Sequence, residues 1–264
     1  MIRAYRAELA RLLRRRMLIG TAIVIVVTAI AGAAIVLSAA EPAARVSSEG
    51  YTPTIESLSR AGGGTEVFRY VAAFWGTFVF VVFVGLFALD FSRGTYRTML
   101  LRQPNRLRLL AGRMAAFLTV AAGILAVAEA ATWVAARLQA SGQGISTSAW
   151  NGTAALGAAV SDYAIVLVWV TGYAVLAMAV AMLVRSLAVA LAVGILWAGP
   201  LEHLIQNAWA SAPRFFPGLL LEAIGQRGTP RVGMTQALVT AAVYTVVAAI
   251  VSVVAFTRRD VTTA

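Results

Sequence analysis

The run from residue 89 to 113, LDFSRGTYRTMLLRQPNRLRLLAGR, combines charge, turn-formers and paired leucines in an order suited to noncovalent docking rather than bond-making. Gly94 permits a turn that other residues resist, and Thr95 beside it has the side chain to cap a short helix. Along that helix Met99, Leu100 and Leu101 make an apolar patch among Arg93, Arg97 and Arg102; Pro104 ends the element or opens the next, ahead of Arg106. Asp90 stands at its entry. A short amphipathic helix of this kind is a natural knob for a soluble partner. An ordinary basic loop obeying membrane-topology rules would carry the same arginines.

Other ionisable residues sit within or beside apolar runs. Glu129 lies 16 residues into such a run, roughly 24 Å along a helix, and Asp162, Glu202 and Arg137 belong to the same outer region. Ionisable groups at membrane depth are costly and face a bundle interior or water. Glu129, Asp162 and Glu202 could therefore form an outer gate or vestibule, or pair structurally, as Glu129 with Arg69 or Arg137. His203, beside Glu202, is an interfacial residue or a proton relay. Phe80, Phe83 and Phe87 follow i, i+3, i+7 spacing; they line a pathway for an apolar substrate, pack at a subunit interface, face lipid or pack within the bundle. Ala121, Ala122, Gly123, Ala126 and Ala130 suit close helix packing.

Composition removes whole classes of chemistry. The 264 residues include no cysteine and one histidine, so thiolate metal sites, disulfides and the two-histidine zinc-protease motif are excluded. All 22 basic residues are arginine. Without lysine the chain cannot carry a standard Gly-Lys-Ser/Thr phosphate-binding loop, so any ATP that drives it is bound by another polypeptide. It is expected to be no enzyme and to hold no cofactor of its own.

The elements that must position these residues are membrane helices. At 60% hydrophobic and 12% charged residues the chain lies far from soluble composition, and several runs reach the roughly 20 apolar residues a spanning helix needs. The expected fold is all-α: one transmembrane domain over 1–264, with six spans near 17–39, 67–89, 113–137, 160–184, 187–207 and 234–257. Residues 1–16 form a basic amphipathic interfacial helix with Ala4, Leu9, Leu12 and Leu13 on one stripe. The first run is too long for a signal peptide, although Ser38-Ala39-Ala40 resembles a cleavage site. Arg185-Ser186 makes a tight inner turn. Gly199-Pro200, Pro213 and Pro217-Gly218 predict broken or re-entrant helix over 199–225, between the fifth and sixth spans.

Charge orients this topology. The segments assigned to the inner side, including 90–112, carry 15 arginines and three acids, a net of +12; the remainder carries 7 arginines and 8 acids, a net of −1, which together give the chain's +11. Both termini are then cytoplasmic, and lipid topology explains the excess charge without nucleic acid.

The 89–113 run resembles the signature of permease subunits in the type-2 class of ABC exporters: an acid, Gly-Thr, a basic residue, two apolar residues, then Pro followed by Arg. These are Asp90, Gly94-Thr95, Arg97, Leu100-Leu101, Pro104 and Arg106, with Asp90 where the family often has glutamate. The Leu183-Val184-Arg185-Ser186 turn, Phe216-Pro217-Gly218 and the ending Arg258-Arg259-Asp260-Val261 extend the likeness over nearly the whole chain. The resemblance implies that 91–103 is a coupling helix seated on a separate ATP-binding subunit, present in two copies with ATP and Mg. It implies that two permease chains, expected as a homodimer, form an export pathway in a bacterial cytoplasmic membrane, with drugs or antibiotics among the candidate substrates. A stand-alone channel or ion-coupled carrier is the alternative; it would favour inverted repeats and midplane ion ligands, which the sequence does not display.

Overall fold

The protein is described here by a computed structural model, covering residues 1–45, 52–184 and 186–258. Arg185, Arg259, Asp260 and Val261 lie outside the described residues. Among the described residues twelve α-helices run in chain order: α1 (Ile2–Leu12), α2 (Arg15–Ser38), α3 (Ile55–Leu58), α4 (Gly63–Phe74), α5 (Gly76–Ser92), α6 (Thr95–Arg102), α7 (Arg106–Gln139), α8 (Thr153–Val184), α9 (Leu187–Leu196), α10 (Glu202–Ala208), α11 (Pro217–Gly225) and α12 (Met234–Arg258). No strand occurs among the described residues, only two isolated bridges.

Among the described residues four helices are long and apolar enough to cross a membrane: α2, α7 with its short extension to Gln143, α8 and α12. The second expected span, 67–89, falls across two helices, α4 and α5, bent by 55° at Trp75. The fifth expected span contains one 10-residue apolar helix, α9. It does not break at Gly199-Pro200. A π-helical turn, Trp197–Leu201, takes in Pro200, and the helix continues through α10 to Ala208. A wider hydrogen-bonded turn tolerates the missing proline N–H. The irregular stretch is therefore 209–216, shorter than expected.

Helix α8 is the axis of the bundle. In its most apolar stretch 67% of residues are buried, against 17–22% for the other three long helices, and it packs on α5, α12, α11, α7, α9 and α4. Its Trp169, Val170, Tyr173, Ala177 and Met182 anchor the main core with Phe80, Val84 and Phe87 of α5. A second core joins α2, α3, α4 and the far end of α7 through Ala33, Leu37, Leu58, Val67 and Ala136, closed by Trp150.

Helix α7, at 34 residues, is about 50 Å long and exceeds a hydrocarbon core of about 30 Å. Its first turns, bearing Arg106, Arg108 and Arg113, receive α1. Gly112 allows that approach: a Cβ there would lie 2.8 Å from the Met1 carbonyl oxygen and 3.0 Å from Ala4 Cβ. Helix α1 is amphipathic as expected, but its inward face holds Ala4 and Glu8, and Leu13 is exposed. The end of α12 joins the same corner, where Phe256 packs against Tyr96 and Phe91. One end of the bundle thus gathers α1, α6, the start of α7 and the end of α12. The opposite end carries α3, α11 and the turn after it.

Candidate functional site

Helix α6 is built by its turn. Gly94 takes φ 65°, the left-handed region, and the chain reverses from α5 into α6 within two residues. Thr95 does not cap the helix, since Gly94 holds that position. Its hydroxyl sits 2.8 Å from Asp90 Oδ1 and 3.1 Å from the Asp90 carbonyl oxygen, and donates to that residue. The helix occupies 95–102, inside the expected 91–103.

The two faces of α6 differ sharply. Tyr96 is buried, and Met99 and Leu100 pack partly against the core. The outward face holds Arg97, Thr98, Leu101 and Arg102, with Arg93 and Pro104 exposed beside it. Leu101 is 81% exposed, an apolar side chain ringed by arginines. Arg106 is turned away from that face: its guanidinium donates to the Phe256 carbonyl at 3.0 Å. Asn105 caps α7, accepting from the Arg108 N–H at 2.9 Å.

Beneath α6 lies a buried charge cluster that joins four helices. Arg113, 1% exposed, donates to Asp90 and contacts Glu8 Oε2 at 3.4 Å. Arg11 bridges the two acids, 3.1 Å from Asp90 and paired with Glu8. Two arginines thus face two carboxylates. Arg113 also lies over the rings of Tyr96 (5.0 Å), Phe117 (5.5 Å) and Phe87 (5.7 Å), a setting in which cation–π attraction is strong. Burial pushes the Tyr96 phenol well above its usual range, so it stays neutral as a donor toward the Phe87 carbonyl. Asp90 is therefore not a surface contact. It fixes α6 to α1, α5 and α7.

At the opposite end Asp162, 3% exposed, is the hub. It accepts from Thr65 at 2.9 Å, meets Arg69 Nε at 3.0 Å, and accepts from Arg227 at 2.8 Å. Arg69 also donates to the Gly225 carbonyl at 3.2 Å. Arg227 has φ 59°, the one positive-φ residue other than glycine among the described residues. Such a conformation costs roughly 1–3 kcal/mol, offset in part by the ion pair with Asp162.

Glu202 serves the backbone. It is buried and accepts from the Gly218 and Leu219 N–H groups at 3.3 and 2.8 Å, capping the start of α11. Its neighbour His203 lies 3.1 Å from Glu222. Glu202→Ala would strand two buried donors, so we expect a loss of about 1–3 kcal/mol, read as a lower unfolding midpoint in detergent. Phe80, Phe83 and Phe87 are all buried within the chain, Phe80 against Tyr173 and the other two against Phe117. Phe83 also reaches an apolar cleft of about 480 Å³ between α2, α5 and α7. Glu129 is half-buried on α7 and pairs with neither Arg69 nor Arg137. Glu129, Asp162 and Glu202 thus occupy three settings: a carboxyl without an ion-pair partner among the described residues, an ion-pair hub and a helix cap. Among the described residues no group of three or more acidic or histidine side chains could hold a metal ion.

A family model described as "Protein of unknown function (DUF2705)" matches residues 54–262, most of the chain. The chain belongs to the DUF2705 family. No curated protein matches it. In this DUF2705 protein the matched region takes in α6, Asp90, Arg113 and the Asp162 hub, whereas Glu8 and Arg11 of α1 precede it. Sequence reasoning missed those two, and missed Arg227. The only sequence signals were an acid among the arginines of α1 and an arginine between Gln226 and Gly228 in a polar turn.

Proposed function

We propose that this chain is the membrane-spanning permease subunit of an ATP-driven exporter of the type-2 ABC class. It works as a dimer with two copies of a separate ATP-binding subunit, in a bacterial cytoplasmic membrane with both termini inside. Six crossings are then α2, the bent pair α4–α5, α7, α8, the 187–208 stretch and α12. The observation that carries the reading is α6: a short helix between two apolar helices whose outward face presents Leu101 amid Arg97 and Arg102. Such a face needs a partner with an apolar socket and acidic rim.

The mechanism follows from what holds α6. ATP-driven closure of the partner subunits displaces α6. Its buried charges pass that displacement to α5 and α7 through Asp90 and Arg113, and to α1 through Glu8 and Arg11. Packed helices then move as rigid bodies and open the pathway outward. This chain performs no bond chemistry.

The test is co-expression of the full chain with an ATP-binding subunit encoded beside it. Leu101→Asp places a charge on the exposed face without touching the core, and copurifying ATPase should fall at least tenfold while the chain remains monodisperse. Undiminished association would remove α6 from the docking surface.

A further inference from the structure

A cleft of about 620 Å³ lies between α4, α7 and α8, touching the Asp162 cluster only through Thr65, which lines it and donates to Asp162. Ala126 and Ala130 on α7 face Ala155 and Ala159 on α8 across it. Each pair is spaced i, i+4, so small side chains fall one above the other on each helix and leave room between the facing surfaces. Trp133 and Trp150 add aromatic wall, and the Trp150 ring is fixed by its Nε1 donating to the Leu58 carbonyl at 2.8 Å.

One ionisable side chain belongs to the lining of this apolar space. Glu129 lines the cleft, and its Oε1 is buried with no hydrogen-bond partner among the described residues. The two arginines that sequence offers it are engaged elsewhere. Arg69 is held by Asp162 and Glu66. Arg137 lies 5.2 Å from the Trp133 ring centroid and bonds Asn151 at 2.9 Å. Asp162, one turn beyond Ala159, already has Arg69 and Arg227 as counter-charges and does not compete.

A carboxylate in an apolar cleft lacks a positive partner, and an external cation can supply it. A metal ion is a poor fit, because hard cations want six or more oxygen ligands, and besides Glu129 the lining side-chain oxygens are those of Thr65 and Asn151, engaged with Asp162 and Arg137. We propose that the cleft binds a hydrophobic organic cation, an ammonium or phosphonium on an apolar body, with Glu129 as its counter-charge and the alanine and tryptophan walls around the body. This goes beyond the exporter reading and does not rest on it, since the site lies within one chain.

The full chain in phosphatidylcholine nanodiscs is equilibrated with radiolabelled tetraphenylphosphonium, and empty discs supply the lipid background. Saturable binding above that background is expected. Glu129→Gln, which keeps shape and removes charge, should weaken it at least fivefold, and neutral triphenylphosphine oxide should bind at least fivefold more weakly than the cation. Ala130→Leu fills the cleft and should weaken the cation similarly with Glu129 intact; if that variant misfolds, Glu129→Gln still decides. No saturable binding, a Glu129→Gln effect below fivefold, or comparable binding of the neutral compound overturns the proposal, the last by showing a lipid-like apolar groove. No ATP-binding subunit is present, so failure here leaves the exporter reading standing, and success does not establish it.

Discussion

Arg113→Ala is expected to cost about 3–5 kcal/mol of stability, because it leaves buried carboxylates without their partner. Glu8 and Asp90 are both buried, and Arg113 contacts each. Arg11 remains, but it is partly exposed and already shared between the two acids. The guanidinium also fills space among the rings of Phe87, Tyr96 and Phe117, so truncation removes packing as well as charge. Chemical unfolding in detergent should show the loss directly. A double-mutant cycle separates its parts: with Asp90→Asn already present, Arg113→Ala should cost clearly less than it does alone, since the charge it balances is partly gone. A loss below about 1 kcal/mol for the single variant would mean that α6 is not held by this cluster, and the proposed route of force from α6 to the bundle would fail with it.

The helices were legible where hydropathy alone decides them. Helices α2, α7, α8 and α12 correspond to expected spans, because 20 or more apolar residues without a break leave the backbone no other arrangement in lipid. Their limits were less legible. Helix α7 begins at Arg106, ahead of the span expected from 113, and α8 at Thr153, ahead of the span expected from 160, since a helix can run on beyond the edge of its apolar run. The bend at Trp75 and the π turn at Pro200 carry no hydropathy signal. For the candidate site, the turn at Gly94 and the arginine-ringed Leu101 follow from local residue types. The partners of Asp90 do not. Arg11 lies 79 residues away, and within α1 a lone acid reads as a solvated charge. The approach of α1 to α7 at the small Gly112 brings Glu8 against Arg113, where Arg11 pairs with it as well. Glu202 shows the same limit: flanked by apolar residues it resembles a gate, whereas its carboxylate is committed to backbone N–H groups 16 and 17 residues on.

At the opposite end the largest effect is expected from Asp162→Asn, again about 3–5 kcal/mol. The substitution keeps the shape and leaves Thr65 an oxygen to bond, but it strips the counter-charge from Arg69, which is buried. Glu66 offers only a 3.7 Å contact in return. Arg227 provides the internal comparison. Its side chain is 43% exposed, so its own pair with Asp162 contributes little, at most about 1 kcal/mol. Its φ of 59° is a conformation that glycine adopts without strain. Arg227→Gly should therefore lower stability by no more than about 1 kcal/mol, because relief of the backbone offsets or exceeds the lost pair. Unfolding of the two variants under one set of conditions gives a ranking that neither provides alone. Asp162→Asn far below Arg227→Gly places the energy in the buried Asp162–Arg69 contact between α8 and α4. Equal losses would place it instead in the exposed turn after α11, leaving the α4–α8 contact to apolar packing.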